Sequence, residues 1–322
     1  LMHPGNPVIP QLRHQPGQPD HADFRDPKVF WHEETERWIM VVAGGELRFY
    51  GSTNLVEWEL LGHQPEIVTE CPDLFRLDSP RGPVWVLSGG GDWMQVGEFD
   101  GFRFTPTQAR QRFTWGPDGY ATQTFSDAPD GRRIALTWLY SWKYGVEMKP
   151  SGVRHPFPTS WSGGCQSTPV ELSLREVDGQ LRVCQVPVRE IGLARGRECS
   201  NPSGLAAWDA EFSVDPGAPW QIEFAPGTDR SLVLKSDGEG IRLHRRGGGL
   251  AHVPHYEWEG GVELPRGDGV CDLRILRDRC SLEVFTRCGA DAALCFALTE
   301  PGKFEVEVSG ELTGRYWEIT GG

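Results

Sequence analysis

The chain has 322 residues, enough for two domains or one large one with a substantial core. A formal charge of −13 argues against a nucleic-acid partner, which would need clustered cations, and no apolar run approaches the length of a membrane span. With Gly 40 and Pro 25, and without sustained helical spacing of apolar residues, the pattern is one of short alternating runs split by turn formers, an all-β signature.

In chain order, the first organising feature is Asp26, which precedes the apolar run Lys28-Val29-Phe30-Trp31. Strands are predicted at 29–31, 38–43, 47–52 and 56–61, joined by turns such as Ala43-Gly44-Gly45. Asp73 opens a second set at 74–77, 84–88, 94–99 and 102–105, with Gly89-Gly90-Gly91-Asp92 as a hairpin turn. Asp118 opens a third at 121–125, 133–139, 170–175 and 181–186. The three aspartates are 47 and 45 residues apart. A period in the forties with four strands per repeat is the mark of β-propeller blades. Residues at the start of each innermost strand would point to the central axis, so Asp26, Asp73 and Asp118 are expected to converge there with Glu70. Asp118 taken alone reads as a turn former.

Carboxylates at the mouths of successive strands suit glycoside cleavage. One protonates the leaving oxygen, and others stabilise the positive charge developing on the ring. Neighbouring carboxylates such as Asp26 and Asp73, with burial acting in the same direction, would favour the protonated acid that Glu70 must be.

The repeat breaks around 191–203, a polar stretch with Gly192, Arg195, Gly196 and Arg197. Beyond it, alternating strands at 220–224, 232–235, 241–245, 271–276, 282–286 and 293–298 suit a β-sandwich. The expected division is a partial propeller over 1–190, a linker over 191–203 and a sandwich over 204–322. Asp278 and Glu283 flank a sandwich strand and read as turn and surface positions. Eight cysteines (71, 165, 184, 199, 271, 280, 288 and 295) show no paired spacing. Most read as small buried hydrophobes, and a disulfide among Cys271, Cys280, Cys288 and Cys295 is the lesser alternative. No metal or organic cofactor is expected.

The segments DFRDPKVFWHE (23–33), ECPDLF (70–75), PDGRRIALTW (129–138), TPVELSLREVDGQLRVCQVPV (168–188) and LRILRDRCSLEVF (273–285) resemble glycoside hydrolase family 32, the invertase, levanase and inulinase group. The resemblance implies a five-bladed propeller followed by a β-sandwich and a retaining hydrolase of terminal β-D-fructofuranosides. It implies that Asp26 binds fructosyl hydroxyls and stabilises the transition state, that Arg25 braces it, and that Glu70 is the general acid/base with Cys71 tuning its surroundings. Asp118 and Tyr120 match a sugar-lining triplet whose middle residue is here Gly119. Trp138, Trp142 and Trp161 lie where family tryptophans flank the sugar, with Trp142 taken as a substrate-binding residue, although a core role is at least as good a reading for any one of them.

The family's nucleophile motif has no match before Asp26, and Pro4-Gly5-Asn6-Pro7-Val8-Ile9 resembles the end of a second blade. The first blade and most of the second are therefore expected to be missing, leaving residues 1–322 inactive or nearly so and prone to self-association through open strand edges, with a homo-oligomer as one outcome. The partner implied is a fructose-containing oligo- or polysaccharide. A non-catalytic carbohydrate-binding protein on a degenerate hydrolase scaffold and a fructosyltransferase are the alternatives.

Overall fold

The computed structural model describes residues 3–11, 23–142, 144, 164–246, 257–265, 267, 269–298 and 304–320. The first antiparallel sheet runs β1 (Phe24–His32), β2 (Arg37–Gly44), β3 (Leu47–Ser52) and β4 (Glu59–Gln64), each strand beside the next. The last strand begins three residues later than its expected start at 56. The Asn54 side chain accepts from the Val56 and Glu57 amides, and Leu55 adopts φ 64°, so the backbone is still turning there.

The second sheet repeats that order with β5 (Asp73–Ser79), β6 (Gly82–Gly89), β7 (Trp93–Phe99) and β8 (Phe104–Pro106), while β9 (Gln111–Arg112) adds to β7. Gly90 and Gly91, at φ 62° and 87°, make the β6–β7 turn that the glycine run predicts. Ile39, Val41, Leu47 and Phe49 of the first sheet share one buried cluster with Leu74, Trp85, Leu87 and Phe99 of the second. The third sheet takes β10 (Gly119–Phe125), β11 (Arg133–Leu139), β13 (Val170–Val177) and β14 (Gln180–Pro187), with β12 (Cys165–Gln166) paired to β11. Three successive sheets thus appear at the expected intervals.

After a short helix, α1 (Arg189–Leu193), the chain builds two further antiparallel sheets. One has the order β15 (Arg195–Cys199), β25 (Thr313–Ile319), β16 (Ala207–Val214), β21 (Cys271–Asp278), β22 (Ser281–Thr286), β23 (Asp291–Phe296). The other has the order β20 (Trp258–Leu264), β19 (Ile241–Arg245), β18 (Leu232–Asp237), β17 (Pro219–Phe224), β24 (Val306–Gly310). Their inward residues form one cluster around Trp208, which is fully buried and stacks on Phe224 at 6.1 Å. Burying an indole of roughly 200 Å² contributes about 5 kcal/mol.

The chain forms two compact units, Leu1–Arg112 with Ala121–Ala135 and Ser173–Arg182, and Phe113–Tyr120 with Leu136–Leu172 and Val183–Gly322. This differs from a cut at 190, because the strands of the third sheet pass from one unit into the other. The stretch expected as a linker is structured as well. Arg195 lies over the Trp317 ring at 3.8 Å and pairs with the buried Asp209 at 2.7 Å, so β15 is fixed as an edge strand.

Candidate active site

Within the first unit, two distorted strand entries place the polar side chains. The β1–β2 register shifts between Arg25 and Lys28, a bulge containing Asp26-Pro27, and Asp26 adopts φ 61°. Pro27 has no N–H to give to the ladder, so a bulge is where it fits. Glu70-Cys71-Pro72 leads into β5 in a similar way, with Cys71 at φ 46°. The Cys71 amide donates to Asp26 Oδ2 at 3.0 Å, and the Gln123 side-chain amide donates to the Cys71 carbonyl at 3.0 Å. Glu70 is held through its backbone, its carbonyl accepting from the Gly90 amide at 2.8 Å.

Arg25 gathers these groups. Its guanidinium donates to Glu70 Oε1 and to Asp23 Oδ1, and its Nε lies 3.7 Å from Asp26 Oδ2. The hydrogen bonds that Arg25 donates to Asp23 and Glu70 drive its pKa further up, so this cation is permanent. The side chains of Arg25, Asp26 and Glu70 remain 40%, 31% and 41% exposed, open to a ligand. The Cys71 thiol is half-buried and pushed up to about 12, first by burial and then by the Asp26 charge. Two carboxylates, one fork of donors and a neutral thiol therefore share one patch. Such a patch can hold the hydroxyls of a sugar while offering a carboxyl to a glycosidic oxygen.

The remaining expected residues are placed differently. Asp73 does not join Glu70 as a like-charged neighbour. It is fully buried, pairs with Lys28 at 3.2 Å and accepts from the Thr124 amide and hydroxyl at 2.7 and 2.8 Å. The charge set against Glu70 is instead the Arg25 cation.

Asp118 belongs to the second unit and is fully buried there. One oxygen accepts from Tyr144 Oη, and the other accepts from Arg245 at 2.5 Å and from the Phe296 amide at 2.7 Å. That carboxylate is committed to holding strands together, and its contacts give no support to a role at the sugar. Gly119 follows because a Cβ there would come within 2.8 Å of Thr114 Oγ1.

Tyr120 and Trp142 also lie in the second unit, edge-to-face at 6.0 Å. Trp142 is 59% exposed and rests on Tyr140, which stacks on Trp138 at 4.1 Å. Trp161 lies outside the described residues. In the same unit, Ser167, Thr168, Arg277, Asp278 and Glu283 help line a cavity of about 710 Å³ that none of the expected site residues borders. Among the described residues, no group of three metal-ligating side chains gathers.

Sequence reasoning passed over Asp23, Lys28 and Gln123. Lys28 carries a weak signal, a charged residue opening an apolar strand run, and Gln123, between two threonines, carries little. Asp23 carries none.

Comparison with known proteins gives the family and the fold type. Residues 2–187 match the model of the glycosyl hydrolases family 32 N-terminal domain. A levanase of Bacillus subtilis (strain 168) is 32% identical over 328 residues, covering 87% of this chain and 46% of the relative. A levanase of Bacillus sp. (strain L7) is 31% identical, covering 91% and 35%. The chain thus spans less than half the length of these curated relatives. In fold, the crystal structure of the Aspergillus awamori exo-inulinase superposes with a TM-score of 0.80 at 22% identity over 98% of this chain and 70% of that one. A fructofuranosidase of Schwanniomyces occidentalis complexed with fructosylnystose gives 0.74 at 21% over 98% and 72%. By the motif-bearing segment that matches and by this all-β, propeller-type fold, the chain belongs to glycosyl hydrolase family 32.

Proposed function

We propose that the chain carries the acid/base half of a retaining β-fructosidase, acting on terminal fructofuranosyl units of the levan, inulin or sucrose type. In this reading the three successive sheets are blades of a five-bladed propeller, and the two later sheets are a sandwich. Glu70 protonates the glycosidic oxygen, then deprotonates the water that releases fructose. Asp26 accepts from ring hydroxyls as positive charge builds, and Arg25 fixes the spacing of the two carboxylates. Cys71, kept neutral, presents its backbone amide to Asp26. Trp142 with Tyr120 is an aromatic platform of the kind that stacks on a sugar face.

The observation that carries this reading is that one guanidinium touches both Glu70 and Asp26, residues 44 positions apart in the sequence. The test is reducing-sugar release from levan, inulin and sucrose by the protein with its natural flanking sequence and by residues 1–322 alone. Residues 1–322 contain no match to the nucleophile motif, so that stretch by itself is expected to be silent. Any longer form that turns over fructosides should lose at least about 1000-fold in kcat on Glu70→Gln. Undiminished turnover in that variant would remove Glu70 from the chemistry.

A further inference from the structure

Within the second unit, two cysteines that are 115 residues apart in the sequence place their sulfurs 3.8 Å from each other. Cys165 opens β12 opposite Leu139 of β11, and Cys280 sits in the turn between β21 and β22. Both are partly exposed at the edge of a cluster formed by Leu139, Tyr144, Leu294, Phe296 and Leu298. The expected alternative had paired Cys280 with Cys271, Cys288 or Cys295. None of the eight cysteines is in a disulfide, and the sulfur that Cys280 contacts is that of Cys165.

We propose that Cys165 and Cys280 are a disulfide-forming pair, a covalent modification site that ties β12 to the β21–β22 turn. The sulfurs start about 1.8 Å outside the bonded distance of about 2.05 Å, a gap that side-chain rotation and a small shift of the turn can close. Sharing one proton between the sulfurs eases formation of the first thiolate, and the Cys280 thiol is held below its ordinary value by the hydrogen bond to Cys165.

The reaction takes an oxidised low-molecular-weight disulfide such as glutathione disulfide. One protein thiolate attacks it, forming a mixed disulfide and expelling one glutathione thiolate. The second protein thiolate then attacks the protein-side sulfur of that mixed disulfide and expels the other glutathione. Two protein thiols give up two electrons and two protons, and one glutathione disulfide becomes two glutathione thiols. Closing a loop of this length restricts the unfolded chain and should raise the melting temperature by roughly 5 °C.

The experiment incubates the protein with glutathione disulfide, blocks the remaining thiols, and maps non-reduced peptides by mass spectrometry alongside a thermal melt. The expected result is a crosslinked peptide joining residues 165 and 280 and a higher Tm that dithiothreitol reverses. The Tm response should be absent in C165S and in C280S. Recovery of both cysteines blocked or as separate glutathione adducts in the wild type overturns the proposal, whatever the variants do. A C165S protein whose Tm responds to glutathione disulfide as the wild type does also overturns it.

Discussion

Glu283 gives the sharpest stability prediction. It was expected at the surface, but β22 is buried on both faces between β21 and β23, and the carboxyl is wholly enclosed. Its Oε1 accepts from the Thr168 amide at 2.8 Å and hydroxyl at 3.0 Å, while Oε2 has no partner among the described residues. Burial, assisted by the Asp278 charge and opposed by the Thr168 hydrogen bonds, raises its pKa from 4.5 to about 7. The folded state therefore holds a proton that the unfolded chain releases near pH 4.5, and stability falls as pH rises through this window. Some 2.5 pH units at about 1.36 kcal/mol each amount to about 3 kcal/mol, present below pH 4.5 and lost above about pH 7. Glu283→Gln keeps an oxygen for Thr168 and cannot ionise. Urea unfolding at half-unit steps from pH 5 to 8 should show the variant gaining on the wild type by about 2.5 kcal/mol across the range. Curves that stay parallel would mean that Glu283 is ionised in the folded protein, and the argument from burial would fail.

Three other perturbations separate structural from functional roles. Asp118→Ala strands the buried Arg245 and should cost about 3–5 kcal/mol by urea unfolding, with much of the loss recovered when Arg245→Met is added. Arg25→Lys keeps the charge but not the fork that reaches Glu70 and Asp26 together, so kcat/KM for fructosides in the active protein should fall about 100-fold with little change in Tm. Trp142→Ala, at a mostly exposed ring, should change stability by less than about 1 kcal/mol while weakening the Kd for fructo-oligosaccharides roughly tenfold, read by calorimetry.

The sheets were legible because their signals are local. Period-two apolar patterns, glycine turns and a repeat of about 46 residues placed most strands to within a residue or two. Errors came where a side chain's partner is remote in sequence. Asp118 and Arg245 are 127 residues apart, and nothing near either announces a buried pair. Thr168 and Glu283 are 115 apart, so a glutamate between two apolar residues looked like a surface position. At the candidate site, Asp26, Glu70 and the bracing Arg25 could be named from their motifs, but the reach of Arg25 to Glu70, 45 residues away, comes only from the fold. The like charges expected around Glu70 were inferred from sequence spacing. The fold instead buries Asp73 and pairs it with Lys28.

Why neighbouring residues can serve one patch follows from the backbone. In a regular strand Arg25 and Asp26 would point to opposite faces, as would Glu70 and Cys71. Left-handed φ values at Asp26 and Cys71 break that alternation just before Pro27 and Pro72, and Arg25 Nε reaches to 3.7 Å from the adjacent carboxylate. Each such residue costs on the order of 1–2 kcal/mol, so the surrounding structure has to enforce it. The bonds from the Cys71 amide to Asp26 and from Gln123 to the Cys71 carbonyl do so for these two entries. The third sheet has the same distortion at Ala121, φ 51°, whose amide donates to the Gly90 carbonyl at 2.7 Å while the Gly90 amide donates to Glu70. Ala121 has no charge to present. Its strain therefore belongs to the way each sheet begins, and the carboxylates of the first two sheets occupy a backbone irregularity that the repeat supplies in all three.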